Sequence, residues 1–315
     1  MNGNEKENKI DAICAELRAK LKEAVDRNKS EGILFSGGLD TSILAFLSPG
    51  IPALSVRLED YGEDSGHAKA LSSRLKFRLH LKQVKTDEAL EAIPLVIGAR
   101  RSFDPALPND LALYFALKLA REKGVRSVMT GDGSDELFAG YSYMFDLDLD
   151  DYLPKLARRM QFSASKLGAQ LGIDVKQPFL DKGFVSFALS ISPELKVRQH
   201  GEIKYGKWLL RKAFETFLPP EVVWQGKRPI EVGSGFAKLR ETIASRISDS
   251  EFSRVKSGCP VKFITRDHLF YYLVYRQVVG DIPQPKPGQS VCPGCGTGIK
   301  ATSSHCHICG WSRKL

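Results

Sequence analysis

Apolar residues Ile10, Ile13, Leu17, Leu21 and Val25 recur every three or four positions, so the chain opens on an amphipathic helix behind a polar tip. The period then changes. Gly32-Ile33-Leu34-Phe35 reads as a short buried strand, the glycines after it as a tight turn, and Thr41 to Leu47 as the helix launched from that turn. A strand at Ala53 to Leu58, a helix around Ser65 to Leu75 and an alternating strand at Phe77 to Val84 follow, then helices over Asp87 to Ala99 and Asp110 to Lys123. The apolar run Val125 to Thr130 reads as a further strand, and it too ends in a glycine-rich turn. Strands alternating with helices predict an α/β fold, a parallel sheet with helices on both faces and ligands beyond the carboxyl ends of the strands. Past Tyr141 the strand signals fade and helical spacing dominates, at Lys182 to Leu189, Tyr205 to Phe217, Phe236 to Ile247 and Arg266 to Val279. Pro283, Pro285 and Pro287 then bar a helix, which sets a main domain over 1–282, a proline-rich linker over 283–290 and a small tail over 291–315.

Composition narrows the class of protein. With 43% hydrophobic and 26% charged residues the chain can bury a substantial core. The longest apolar stretch, near Leu111 to Ala120, is too short to cross a bilayer, and the polar start MNGNEKENKI is unlike a secretory signal, so a cytoplasmic protein without membrane contact is expected. The net charge of +9 fits a polyanionic ligand or a nucleic acid and selects neither; a solvated basic surface explains it as well.

The first glycine-rich turn reads Ser36-Gly37-Gly38-Leu39-Asp40-Thr41-Ser42. Between a strand and a helix, its free amides and the helix dipole attract anions. Gly37 and Gly38 let the backbone come close to a phosphate, Ser36, Thr41 and Ser42 offer hydroxyls, and Asp40 can hold a magnesium ion on phosphate oxygens. The string resembles the PP-loop of ATP pyrophosphatases, which cleave ATP between the α- and β-phosphates and grip the pyrophosphate. It lacks the GxxxxGK[ST] pattern of γ-phosphate transfer.

The second turn, Thr130-Gly131-Asp132-Gly133-Ser134-Asp135-Glu136-Leu137-Phe138-Ala139-Gly140-Tyr141, places three acids within five residues, which is costly unless a cation meets them. It resembles the signature of the synthetase domain of asparagine synthetases. Gln177-Pro178-Phe179-Leu180-Asp181-Lys182, Pro193-Glu194-Leu195-Lys196, Lys207-Trp208-Leu209-Leu210-Arg211-Lys212-Ala213-Phe214, Pro219-Pro220 and Trp224-Gln225-Gly226-Lys227 recur in that family's order. The resemblance implies a five-stranded sheet of the PP-loop, adenine nucleotide α-hydrolase-like type. It implies an ATP-dependent ligase that adenylates a small-molecule carboxylate and then transfers ammonia or an amine to it. Asp40 and Asp135 would ligate magnesium, with Gly131, Gly133 and Ser134 lining the pyrophosphate. Asp132 would be the base, Lys227 would meet the phosphates, and the backbone near Val56 would read adenine. Arg100, Arg101, Glu136 and Asp181 are its candidate substrate residues, although arginines at a helix end are also plain surface.

Several departures from the family pattern matter. The family usually begins with a glutaminase domain whose catalytic cysteine follows the initiator methionine; here residue 2 is Asn2 and the PP-loop begins about 35 residues in. Free ammonia, a separate glutaminase and another amine all remain open as nitrogen source. Asp132 stands where the family often has glutamate, and Lys176-Gln177 stands where it has arginine. Adenylation of a tRNA base is the competing enzymatic reading, and a non-catalytic scaffold the third.

Six cysteines are unevenly placed, with Cys292, Cys295, Cys306 and Cys309 forming two CxxC pairs ten residues apart. This is metal spacing, resembles zinc knuckles, and predicts a structural Zn²⁺ with His305 or His307 as a substitute ligand. Four thiolates about one divalent ion carry about two negative charges, so the tail, with Lys286, Lys300, Arg313 and Lys314, is only mildly basic. Contact with RNA, with a protein, with its own main domain or with a second subunit in a homodimer is left open; Trp311 is the residue available for stacking.

Overall fold

A computed structural model of the chain describes residues 3–59, 71–74, 76–303 and 305–313. The chain divides into two compact units. The first comprises Met1–Ser55, Glu63–Leu81 and Ala116–Arg228, the second Val56–Gly62, Lys82–Phe115 and Pro229–Leu315.

Five parallel strands build the sheet: β1 (Gly32–Leu34), β2 (Ala53–Leu58), β3 (Leu79–Val84), β4 (Ser127–Met129) and β5 (Asp174–Lys176), in the order β3-β2-β1-β4-β5. Ile33 registers with Ala53 on one side and Met129 on the other, and Val128 with Val175. All three residues of β1 are buried, as a central strand of a doubly covered sheet requires. Consecutive numbering breaks between β1 and β4, so the turns after these neighbouring strands flank the switch point where such sheets bind ligands.

The opening helix, Gly3–Arg27, buries Cys14, Leu17, Leu21, Ala24 and Val25 at helical spacing. Each fully buried leucine of that stripe stabilises by roughly 2–3 kcal/mol relative to exposure. It lies against the helices Lys182–Ser190 and Trp208–Phe214 in the first unit.

Some expectations are corrected. β5 is three residues long with a single apolar one, Val175, too short for its pattern to stand out, so this edge strand is not predicted. The segment Tyr205 to Phe217 is helical only over Trp208–Phe214, because Ile203–Tyr205 (β7) pairs antiparallel with Arg198–His200 (β6). The expected helix over Asp87 to Ala99 is two, Thr86–Glu91 and Ile93–Arg100. Pro94 lacks an N–H and is tolerated only in a first turn, which restarts the helix there. Phe236 to Ile247 begins as a 3-10 turn, Phe236–Lys238, before the helix Leu239–Ala244. Of the helix expected around Ser65 to Leu75, residues 71–74 are helical and the rest, like Lys314, lie outside the described residues.

In the second unit the helix Arg266–Val278 packs on Ile93–Arg100 and Leu239–Ala244. Phe103 stacks on His268 and meets Tyr272 and Tyr275 edge-on, with centroids 5.1 to 5.6 Å apart. Asp281 to Gln289 contains no helix or strand, and a hairpin of Ser290–Val291 (β8) and Gly298–Ile299 (β9) follows. No helix among the described residues is long and apolar enough to cross a membrane.

Candidate active site and metal centre

The turn after β1 begins the helix Leu39–Leu47, whose cap, Gly38, is extended and supplies no side-chain cap. The first amides of that helix are thus left to other acceptors. Gly37 adopts φ +76°. The Thr41 hydroxyl accepts from the Ser36 amide and donates to the Gly38 carbonyl, both at 3.3 Å, which holds the turn closed on itself. Ser36 remains exposed, Leu39 packs into the core, and the buried Ser42 Oγ has no hydrogen-bond partner among the described residues.

The turn after β4 approaches it closely. A Cβ on Gly131 would stand 2.8 Å from Asp40 Cβ, so only glycine permits this approach. Gly133, at φ +94°, backs onto Leu180 and Phe179, and the Ser134 hydroxyl donates to Asp40 Oδ1 at 2.7 Å. Of the predicted residues, the structure therefore brings Asp40, Gly131, Ser134, Asp135 and Lys227 into one cluster.

At its centre is a residue to which the sequence reading gave no role. Lys207 Nζ donates to Asp40 Oδ1 and Oδ2 at 2.9 and 2.7 Å and lies 2.8 Å from Asp135 Oδ1. Lys227 Nζ lies 2.5 Å from Asp135 Oδ2 and 5.0 Å from the centroid of the Tyr141 ring. Burial acts to depress the Lys207 ammonium, but Asp135 and Asp40 outweigh it and hold its pKa above the ordinary lysine range. Burial likewise acts to raise Asp135, and the two lysines more than offset it, leaving that carboxyl below its usual range. Three acids in one turn had signalled that a cation must meet them. Which lysine does so is not written in local sequence, since Lys207 arrives from 167 positions beyond Asp40.

Asp132 takes hydrogen bonds from the Thr130 hydroxyl at 2.7 Å and the Gln177 amide at 2.8 Å. Both fall on Oδ2, which leaves Oδ1 with none among the described residues. Burial, with the nearby Asp40 and Asp135 charges, raises its pKa in spite of those two bonds. Glu136 is raised to about 7, first by burial and then by the Asp135 charge, and accepts from the Tyr141 hydroxyl at 3.4 Å.

The other predicted residues are placed differently. Asp181 caps the helix Lys182–Ser190 through the Gly183 and Phe184 amides and pairs with Arg27 at 2.8 and 3.0 Å, so its oxygens serve the fold. Val56, Arg100 and Arg101 belong to the second unit. There Arg100 Nε donates to Asp110 Oδ2 at 2.9 Å, and Arg101 ends its helix in the left-handed region at φ +51°.

The second unit also carries a four-cysteine centre. The Sγ atoms of Cys292, Cys295, Cys306 and Cys309 are buried and lie within 4.8 Å of one another. The pairs Cys292–Cys309 and Cys295–Cys306 stand 3.7 and 3.9 Å apart. Thiolates arranged tetrahedrally around one ion at about 2.3 Å would be about 3.8 Å apart, so this donor set fits a single metal ion. The ribbon docks within its own unit. The Ile308 carbonyl accepts from the Phe103 amide at 2.7 Å, Gly294 accepts from the Lys262 amide at 2.8 Å, and His305 Nε2 meets Asp104 Oδ2 at 3.1 Å. Trp311 packs over Gly294, where a Cβ would stand 2.8 Å from its own Cβ.

The sheet is parallel, and its switch point, where such α/β proteins place their ligands, gathers a glycine-rich turn, an acidic turn and two lysines. The family model described as asparagine synthase matches residues 16–171 and 143–279, and the chain belongs to that family. It is 29% identical over 279 residues to a probable glutamine-hydrolyzing asparagine synthetase of Dictyostelium discoideum, covering 76% of this chain and 50% of that protein. Asparagine synthetase B of Escherichia coli K12 is 26% identical over 322 residues, covering 92% and 57%. The chain thus spans about half the length of the curated relatives it matches. Among solved structures, a U34-tRNA thiolase, NcsA from Methanococcus maripaludis, aligns at a TM-score of 0.37 and 12% identity over 86% of this chain and 84% of that one, a likeness too loose to bear on function.

Proposed function

We propose that the chain is an ATP-dependent carbon–nitrogen ligase that forms AMP. A substrate carboxylate oxygen attacks the α-phosphorus of ATP, the bond to the β-phosphate oxygen breaks, and pyrophosphate leaves. Ammonia or another amine then adds to the acyl carbon, loses a proton, and displaces AMP to leave an amide. The observation that carries this reading is the Asp40–Lys207–Asp135 bridge, which unites two turns of a family signature at neighbouring strand ends.

In this reading the amides of Gly37, Gly38 and Leu39 and the hydroxyls of Ser36, Thr41 and Ser42 face the pyrophosphate, joined by Gly131, Gly133 and Ser134. The unpartnered Ser42 hydroxyl and the all-oxygen donor set of Asp40 and Asp135 fit a magnesium ion, which typically takes one or two carboxylates together with substrate phosphates. When bound, that ion would supply stabilisation of charge on the departing pyrophosphate. Lys227, the more accessible lysine, follows the same charge. Asp132 Oδ1 is the proton acceptor for the attacking amine, its basicity enhanced by the raised pKa. In the ribbon, four buried thiolates within one ion's coordination distance match a structural Zn²⁺ and leave no open position for substrate.

The test is pyrophosphate release from ATP and Mg²⁺, with aspartate and ammonium and then with bulk tRNA. Release with the first mixture is expected; release only with tRNA would overturn the small-molecule substrate.

Glu136 makes a separate prediction. Its folded pKa of about 7 stands above the ordinary 4.5, so its neutral form contributes stability that is complete below pH 4.5 and is lost as pH rises through 7. Glu136→Gln should remove about 2 to 3 kcal/mol of that pH-dependent decline. Urea denaturation of both proteins at pH 5 and pH 8 measures it; equal slopes against pH in the two would refute the environment described for Glu136.

A further inference from the structure

All four oxygens of Asp40 and Asp135 lie within 2.9 Å of an ammonium or hydroxyl partner, although Asp135 Oδ1 meets Lys207 as an ion pair without a well-directed hydrogen bond. Asp40 has the Lys207 ammonium on both oxygens and the Ser134 hydroxyl on one; Asp135 has Lys207 on Oδ1 and Lys227 on Oδ2. Two negative and two positive charges cancel. The neighbouring charges are otherwise engaged. Asp132 Oδ2 is bound by Thr130 and Gln177, and Glu136 by Tyr141. The Arg211 guanidinium is held by the carbonyls of Gly206, Val223 and Gln225.

The two lysines are not equivalent. The Lys207 side chain is 4% exposed and that of Lys227 33%. Lys207 is a non-glycine residue at φ +56°, its amide bonded to the Phe138 carbonyl at 2.8 Å. That backbone is unfavourable for lysine and persists only where surroundings over-determine it. They do so here: a Cβ on Gly140 would stand 2.6 Å from Lys207 Cε and 2.0 Å from Asp135 Oδ1, and one on Gly206 2.0 Å from the Ala139 carbonyl oxygen. Lys207 is therefore fixed, whereas Lys227 is free to change partner.

We propose that Lys207 is a resident counterion, a positioning residue that draws Asp40 and Asp135 together and cancels their attraction for a free divalent cation, so that metal enters only with a pyrophosphate-bearing ligand. The inference rests on the nucleotide reading above. A divalent ion alone would gain two neutralised carboxylates and face a fixed ammonium roughly one ion-pair distance away. Metal that arrives with pyrophosphate brings compensating negative charge and offers Lys227 a new partner.

The test is Mn²⁺ binding to the full chain by electron paramagnetic resonance, with Mn²⁺ alone and with Mn²⁺ plus saturating inorganic pyrophosphate. Wild type should bind Mn²⁺ about a hundredfold more tightly with pyrophosphate than without. Lys207→Met, checked for native near-ultraviolet dichroism, should bind Mn²⁺ alone about tenfold or more tightly than wild type, and Lys207→Arg should not. If Lys207→Met does not fold, Lys207→Gln, which keeps a polar side chain between the carboxylates without the charge, should show the same gain. No gain in the Lys207 variants that remove the charge would overturn the counterion. Absence of any pyrophosphate-dependent binding, with the Lys207→Met gain intact, would instead overturn the nucleotide reading and keep the counterion.

Discussion

Asp40→Asn should lower pyrophosphate release from ATP by about a thousandfold, the range seen when one preorganised charge is taken from a transition state. The change is nearly isosteric, so the turn keeps its shape and Ser134 keeps an acceptor at the 2.7 Å position. What is lost is charge. The amide binds a divalent cation poorly, and the buried Lys207 ammonium is left with a single carboxylate, Asp135. Breaking a buried pair from one side costs about 3–5 kcal/mol, so the melting temperature should fall as well. Measuring single-turnover rates below the transition separates the two effects. Retention of normal turnover would show that Asp40 does not meet the metal.

Cys306→Ser should unfold the ribbon while the remainder of the second unit stays folded. Among the described residues of 290–313 only the four cysteines, Gly294 and Thr297 are buried, so the segment has no apolar core to fall back on. In the zinc reading its fold is sustained by metal ligation, which in small zinc modules provides about 10–16 kcal/mol. With the thiolates dispersed, the bonds from Phe103 to Ile308 and from Lys262 to Gly294 have nothing to hold their acceptors in place, and the His305–Asp104 contact goes with them. Trypsin should then cut rapidly after Lys300, and bound zinc should fall from one equivalent to none. A variant that still resisted cleavage would show that docking, and not the metal, keeps the ribbon folded.

Much of this architecture was legible because it is local. β2 spans the expected Ala53 to Leu58, and the helix from Arg266 ends within one residue of its expected limit, since apolar periodicity reports the buried face of each. The turns at Ser36 and Thr130 were visible because glycines and acids mark them whatever lies elsewhere. Failures fell where a distant partner decides. Asp174-Val175-Lys176 forms a strand because β4 offers an edge, not because its residues prefer one. Asp181 looked like a substrate residue on family grounds, yet its oxygens cap a helix and meet Arg27, 154 positions away.

The order of residues alone determined the strand–turn–helix units, the two glycine-rich loops and the paired cysteines, because each depends on contacts within a few residues of chain. Tertiary structure alone decided that Lys207 meets Asp40 on one turn and Asp135 on the other, that Gln177 and Thr130 orient Asp132, and that the ribbon seats on Phe103 and Asp104. A lysine in sequence carries the same charge everywhere; only burial between two carboxylates, with glycines cleared around it, makes one of them part of the site.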